Sequence, residues 1–350
     1  MNLKKVREQI DIIDSKILKL LNDRMILGIL SKRFKTEIED IEREKEILDR
    51  INSYTESLVN TEVYKRIFLE ILTESKRLQK KNFKITAFQG EHGAYSDVAA
   101  RKWLHESVTI PCVEFREVFE GVEKGYYDYG IVPVENTLGG VIGEVNDLLI
   151  KTKLKVVGAV NLKVEHCLLA IPGADHRELR EVISHPQALT QCKSFIERNK
   201  LNPVSYYDTA GAARMIREKN LKQSTAIASK LAAELYDLEI IKENIADLGN
   251  NYTRFLILAR EETKGKGDKC SIIFSTEHKA GTLFKVLEIF AKAGINLTRI
   301  ESIPESPGSY AFFLDFIGSL EDETVKKCLD DIKPLTTKLK IMGNYPEITV

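Results

Sequence analysis

Residues 3–27 read LKKVREQIDIIDSKILKLLNDRMIL. Leu3, Val6, Ile10, Ile13, Ile17 and Leu20 recur at alternating spacings of three and four, and Leu27 continues the series past Arg24. That spacing predicts a long helix with one packed apolar stripe. A guanidinium in such a stripe is costly unless something anionic meets it. The next helix repeats the anomaly, because Ile41, Leu48, Ile51 and Leu58 mark its stripe and Glu44 interrupts it. Two readings follow: a buried Arg–Glu pair that fixes register, or a polar pocket inside a helical bundle.

The helical pattern fills residues 1–81, which contain no proline and the single glycine Gly28. Helices are expected over Leu3–Phe34, Asp40–Ser57 and Glu62–Lys80. The first would be roughly 45 Å long at 1.5 Å per residue, more than two shorter helices can cover. A second copy of the chain is the natural cover, which implies an interlocked dimer.

Residues 83–260 alternate β-branched runs with helical stretches, the pattern of an α/β fold. Strands are expected at Ile85–Phe88, Tyr129–Val132, Val156–Val160, Val204–Tyr207 and Phe255–Leu258. Helices are expected at Val118–Lys124, Leu189–Arg198, Ala212–Glu218 and Leu231–Leu238. A polar linker, residues 261–268, leads to a final unit at 269–350. Its order is strand, helix, strand, strand, helix, strand: Cys270–Ser275, Gly281–Ala293, Leu297–Ile303, Ala311–Ile317, Glu323–Ile332 and Thr336–Met342. That is a ferredoxin-like arrangement, which says little about function by itself.

Composition narrows the classes. With 52 basic and 52 acidic residues, the chain has no electrostatic case for nucleic acid or an anionic membrane. No apolar run approaches a bilayer span, and residues 1–7 lack a signal peptide's apolar core, so a cytoplasmic protein is expected. The five cysteines are too scattered for a disulfide framework or a zinc site.

Chemistry concentrates in the α/β segment. Four polar clusters interrupt it: QGEHGAYS at 89–96, PVENTLGG at 133–140, SHPQALTQC at 184–192 and NNYTRF at 250–255. The first three fall where strands give way to helices, where α/β folds assemble ligand sites. None is a phosphate-cradling loop or a dinucleotide fingerprint. With DTAGAA at 208–213, these motifs in this order resemble prephenate dehydratase along the whole segment. The resemblance implies two α/β lobes like those of type II periplasmic binding proteins, an active site in the cleft, and no cofactor or metal. It implies that Thr253 serves the departing ring hydroxyl, while Glu135, Asn136, Ser184 and Gln191 position the substrate and Thr253. Arg254 reads either as a carboxylate clamp or as a structural ion pair.

The helical segment then resembles the all-α chorismate mutase often fused ahead of prephenate dehydratase. Family positions fall on Arg7, Arg24, Lys35, Asp40, Arg43, Glu44, Ser75 and Gln79. Chorismate is a dianion that rearranges intramolecularly, so the pocket must hold a compact conformer and stabilise charge on the breaking ether oxygen. By resemblance, arginines take the carboxylates, Lys35 and Gln79 donate to the ether oxygen, Glu44 accepts from the ring hydroxyl and Ser75 holds a carboxylate. Arg7 would reach in from a partner chain.

The last segment resembles an ACT domain of the amino-acid-sensing kind, on Gly281-Thr282-Leu283, on Asn296-Leu297 and on Glu301-Ser302. The resemblance implies phenylalanine as a feedback effector. Ile303 stands where the family usually has arginine, and Thr282 where it usually has alanine. The expectation is therefore a multidomain homo-oligomer running chorismate to prephenate to phenylpyruvate. The rivals are a dehydratase whose helices only dimerise, and a non-catalytic amino-acid-binding regulator.

Overall fold

A computed structural model of the protein describes residues 2–54, 58–262, 267–306 and 309–350. The chain divides into two compact units, Met1–Ile85 and Thr86–Val350.

The first unit holds α1 (Leu3–Ser31), a 3-10 turn at Lys32–Phe34, α2 (Ile41–Asn52) and α3 (Thr61–Lys80). Local chemistry sets the starts. The Asp40 carboxylate accepts from the Arg43 amide at 3.0 Å, and the Asn60 side chain accepts from the Glu62 amide at 2.9 Å. Each satisfies an N–H that the first helical turn leaves open. α2 is shorter than the expected Asp40–Ser57, and residues 55–57 lie outside the described residues. α3 packs on both α1 and α2. The interior is small: Ile29 and Leu72 are buried, and so are the polar Ser75 and Gln79. Most of the apolar stripe on α1 is not covered by its own chain, with Leu3, Ile10, Ile13, Ile17, Leu20 and Leu27 each 49–67% exposed.

The second unit begins with a lobe built on one sheet. Its strands run in the order Glu347–Thr349, Lys155–Lys163, Tyr252–Ala259, Tyr129–Asn136, Ile85–Gln89, Val108–Cys112. The chain leaves this lobe after Lys163 and re-enters it at Tyr252. Between those points it forms a second lobe, with strand order Glu239–Lys242, Cys167–Ala170, Ser224–Ala228, Glu181–Ser184, Asn202–Ser205. The two crossings are tied side by side, the Val164 amide donating to the Asn251 carbonyl at 2.8 Å. A cleft between the lobes is the consequence. The expected helix at Leu189–Arg198 is two short ones, Pro186–Gln191 and Lys193–Arg198, interrupted at Cys192.

The C-terminal sheet runs Leu297–Ser306, Ser309–Ile317, Lys269–Ser275, Lys338–Tyr345, and helices Thr282–Lys292 and Glu323–Ile332 pack with it. Residues 263–266 of the expected linker lie outside the described residues. The module is not self-contained. Ile273, Ile303, Ala311, Phe313, Met342 and Tyr345 share one apolar core with Val118, Phe119, Val156, Leu256 and Leu258 of the first lobe. The last strand, Glu347–Thr349, leaves its own sheet and pairs in parallel with Lys155–Lys163. No helix among the described residues is long and apolar enough to cross a membrane.

Candidate active sites

The helical unit encloses a cavity of about 740 Å³. Arg24, Lys35, Asp40, Arg43, Glu44, Ser75 and Gln79 all line it, so helix period and the short connection from α1 to α2 bring these expected residues together. Arg7 is exposed and does not line it. Two further cations, Arg50 and Lys76, do. The lining therefore carries five formal positive charges against the carboxylates of Asp40 and Glu44.

The register-pair reading of Arg24 and Glu44 fails, because Glu44 is met instead by Lys76 at 3.0 Å. Burial pushes the Arg24 guanidinium below its ordinary pKa. Lys35 Nζ donates to the Ile38 carbonyl at 2.9 Å. Gln79 Nε2 lies 3.2 Å from Ser75 Oγ, and Gln79 Oε1 is buried without a partner among the described residues. Gly28 makes this packing possible, since a Cβ there would stand 2.5 Å from Ser75 Oγ.

The cleft between the lobes is a cavity of about 450 Å³. Asn136 and Thr253 line it from the first lobe, Gln191, His185 and Asp208 from the second, and His166 from the segment where the chain crosses over. Their orientation is determined. Asn136 Oδ1 accepts from the Leu138 and Gly139 amides at 3.1 and 2.7 Å, so its amide nitrogen must face the other way. Asn136 Nδ2 then donates to Thr253 Oγ1 at 2.9 Å and to Asn251 Oδ1 at 2.8 Å. Asn251 Nδ2 donates to Gln191 Oε1 at 3.0 Å, and His166 Nε2 donates to the same oxygen at 2.8 Å. His166 Nδ1 is thereby left to accept from the Tyr95 hydroxyl at 2.8 Å. Burial keeps the His166 imidazole below its usual pKa, although the bond to Gln191 pulls it up, and burial likewise raises the Tyr95 phenol. Asn251 and Tyr95, which fall within the quoted clusters without an expected role, and His166, which lies outside them, complete this network.

Three expected residues lie elsewhere. Ser184 is fully buried and donates to the Ile227 carbonyl at 2.6 Å, inside the second lobe. Glu135 and Arg254 stand on the strand faces opposite Asn136 and Thr253, because successive strand residues alternate in direction. Glu135 Oε2 is 3.4 Å from Arg299 Nε, and Arg254 bonds Asp315 and Glu347, each at 2.5 Å. Arg254 is therefore no carboxylate clamp but the structural ion pair.

Among the described residues lining the cleft, none is lysine or arginine. An anion there must rely on neutral donors. The helix Tyr95–Trp103 starts at Ala94 without a side-chain cap, and Ala94, Tyr95 and Ser96 line the cleft, so backbone N–H groups are available. Asp208 instead caps its own helix, accepting from the Gly211 amide at 2.8 Å, and burial raises its carboxyl. Glu91 ties the lobes together, accepting from Tyr207 at 2.7 Å and Arg214 at 2.8 Å.

A third cavity, about 440 Å³, lies in the C-terminal domain. It is lined by Gly281, Thr282, Leu283 and Ser302, with Tyr310 and Phe312. Asn296, Leu297 and Glu301 lie outside it.

Three family models match in tandem: chorismate mutase type II over residues 6–80, prephenate dehydratase over 86–263 and the ACT domain over 271–334. The bifunctional chorismate mutase/prephenate dehydratase of Aquifex aeolicus is 37% identical, over 99% of this chain and 98% of its own. The chain belongs to that bifunctional family. It carries a mutase domain, a dehydratase domain and an ACT domain, and is an isomerase and a lyase. Arogenate dehydratase/prephenate dehydratase 2 of Arabidopsis thaliana is 43% identical over 74% of this chain and 72% of its own. Among solved structures, GqqA, described as a novel type of quorum quenching acylase, is 37% identical with a TM-score of 0.71, covering 76% of this chain and 98% of that one. Prephenate dehydratase from Arthrobacter aurescens in complex with L-Phe is 25% identical with a TM-score of 0.69, covering 75% and 89%.

Proposed function

We propose that the chain converts chorismate to prephenate in the helical pocket and prephenate to phenylpyruvate in the cleft, with phenylalanine as effector of the ACT domain. One observation carries the dehydratase assignment of roles. Thr253 Oγ1 accepts from Asn136 Nδ2 at 2.9 Å, so its own proton is free to point into the cleft. Accepting one hydrogen bond makes a hydroxyl a better donor of the next. Thr253 thus meets the ring oxygen as the C–O bond breaks. The departing carboxylate leaves its electron pair to the ring as carbon dioxide, the ring aromatises, and the oxygen takes up a proton as water. Asn136, Asn251, Gln191 and His166 hold the threonine, and helix N-terminal amides take the substrate carboxylates.

In the mutase pocket, the cation excess suits a dianion. Arg24 and Arg43 take carboxylates, with Ser75, and Asp40 fixes the start of the helix that carries Arg43 and Glu44. Lys35 donates to the ether oxygen, and Glu44 accepts from the ring hydroxyl. Rotating the Gln79 amide lets Ser75 donate to its carbonyl, which satisfies the buried oxygen and aims the NH2 group at the ether oxygen. A second copy covers the exposed α1 stripe and supplies Arg7. Mixing an Arg7→Ala chain with a Lys35→Ala chain should restore mutase turnover if sites are shared, and should not if each chain is complete.

The deciding experiment is Thr253→Ala in the full chain. Dehydratase kcat should fall by about a hundredfold, in line with loss of one donor to a developing negative oxygen. Mutase turnover should hold. Unchanged phenylpyruvate formation would remove Thr253 from the chemistry.

A second substrate, arogenate, has one observation in its favour. It carries an amine where prephenate has a keto oxygen, and Asp208 is the carboxylate in the cleft wall. Comparing kcat/KM for the two substrates decides between them.

A further inference from the structure

The two cleft donors are backed, residue for residue, by charges that the ACT domain holds. Asn136 and Thr253 are register partners on adjacent strands, and so are Glu135 and Arg254 next to them. The first pair faces the cleft and the second faces the ACT sheet. There they meet a third register pair, Arg299 and Asp315, on the hairpin of strands Leu297–Ser306 and Ser309–Ile317. Arg254 bonds Asp315, and Glu135 lies against Arg299. Four charges thus lock two sheets at the point where the catalytic donors sit.

The two contacts are not equal. Arg254 and Asp315 are both buried, at 2.5 Å, and Tyr345 adds a bond to the guanidinium at 3.1 Å. Arg299 is buried but poorly served. Its Nη2 donates to Asn146 at 3.1 Å and its Cζ lies 4.6 Å from the centre of the Phe313 ring. Its Nε is 3.4 Å from Glu135 without hydrogen-bond geometry, and Nη1 meets no acceptor among the described residues. A buried guanidinium with unmet donors gains by any small shift that completes them. The same hairpin lines the effector cavity: Ser302 and Phe312, themselves register partners, lie three residues along from Arg299 and Asp315. That spacing puts them on the opposite sheet face. Phe312 packs with the ACT helices, and its neighbour Phe313 with the first lobe.

We propose that Arg299 and Asp315 are positioning residues for the dehydratase cleft. Through Glu135 and Arg254 they set the placement of Asn136 and Thr253, and a ligand on the hairpin's far face acts on the cleft by moving Arg299 relative to Glu135. This rests on the dehydratase and effector readings above. Loss of the Arg299–Glu135 contact then reproduces the inhibited state without ligand, because the cleft responds only to how the two strands are held.

The test is a double-mutant cycle in the full chain with Arg299→Gln, Glu135→Gln and their combination, and Arg299→Lys as the conservative variant. Dehydratase kcat and KM are measured with and without phenylalanine and its binding by calorimetry, with urea unfolding of the unit Thr86–Val350 as the control for folding. Each single variant should lose about five- to tenfold in kcat with KM within about twofold, the signature of misplaced chemistry rather than lost binding. The double variant should be no worse than the poorer single, because both remove one interaction. Phenylalanine should still bind Arg299→Gln, yet at least about fivefold less of its inhibition should reach the cleft. Arg299→Lys should recover part of both. An Arg299→Gln enzyme with wild-type kcat and full inhibition would overturn the proposal, and so would strictly additive losses. If phenylalanine fails to bind the wild-type chain, the effector reading falls by itself, and the kcat cycle still decides the positioning role.

Discussion

Lys76 Nζ lies 3.0 Å from one carboxylate oxygen of Glu44 and 3.1 Å from the other, on the wall of the mutase pocket. Both side chains are about one-third exposed or less, and they come from different helices. A partly solvated pair of this kind contributes only about 0–1 kcal/mol to stability. Its larger effect is on the site, where it fixes the Glu44 carboxylate as an acceptor and adds a cation near a dianionic substrate. Lys76→Met should therefore leave the melting temperature within a few degrees. Mutase kcat/KM should fall by about tenfold, or ~1.4 kcal/mol. Lys76→Arg should retain most of the activity, and dehydratase turnover should not respond to either. An unaltered mutase in the Met variant would make the pair ornamental.

Gly28 lies inside α1, where glycine costs about 1 kcal/mol relative to alanine. The structure gives the reason it stands there, since a Cβ would come within 2.5 Å of Ser75 Oγ. Gly28→Ala should lower mutase activity at least about tenfold by displacing Ser75 and Gln79, as ångström-scale misplacement does. It should also fail to raise the melting temperature despite its better helix propensity. Adding Ser75→Ala removes the colliding oxygen and leaves ordinary contact with the Ser75 Cβ at 3.8 Å. The double variant should melt above Ser75→Ala alone, by the helix-propensity gain. If Gly28→Ala is as active as wild type, α1 and α3 approach less closely than described.

How much of this could be read from the chain depends on the range of the interaction. Arg24, Lys35, Glu44, Ser75 and Gln79 converge because helix period and short connections leave few alternatives. The cleft motifs were legible as clusters, but not the facing of individual residues. The expected strands stop at Val132 and begin at Phe255, whereas the real ones run through Asn136 and from Tyr252. With those ends missing, the alternation that turns Glu135 and Arg254 away from the cleft could not be applied. Ser184 is hidden for another reason: as the last residue of a central strand, it bonds a neighbouring strand's carbonyl. The strand Glu347–Thr349 is three residues long and pairs with a segment almost two hundred residues earlier, which no local pattern announces.

That short strand carries a stability prediction. Burial alone would lower the Arg254 pKa, but Asp315 and Glu347 outweigh it and hold the guanidinium charged. Glu347 also takes the Lys269 ammonium. Glu347→Ala leaves a side chain that is 7% exposed with one carboxylate instead of two. Uncompensated buried charge costs about 3–5 kcal/mol when a sole partner is lost, so roughly 2–3 kcal/mol is expected with Asp315 retained. Urea unfolding of the dehydratase and ACT domains should show that loss. Glu347→Gln, which keeps an acceptor, should show less. A change under about 0.5 kcal/mol, the usual size for a surface site, would mean the strand adds little.

His166 should make the dehydratase domain sensitive to acid. Its imidazole is buried, and that burial lowers its pKa from the ordinary 6.5 despite the bond to Gln191. In the unfolded chain the ring binds a proton at about pH 6.5, while in the folded chain it resists until lower pH. The unfolded state therefore holds more protons in that window, and stability falls as pH drops below about 6.5, levelling only under the folded pKa. Protonation also turns Nδ1 from an acceptor into a donor. The Tyr95 hydroxyl must then release Nδ1 and donate to its other neighbour, the Glu165 carbonyl at 2.9 Å. Both effects reach Thr253 through Gln191, Asn251 and Asn136. The expected result is a loss of melting temperature and of dehydratase kcat between pH 7 and pH 5, with His166→Asn flattening the stability slope at a lower starting activity. Equal pH slopes in the two proteins would assign the acid sensitivity to another group.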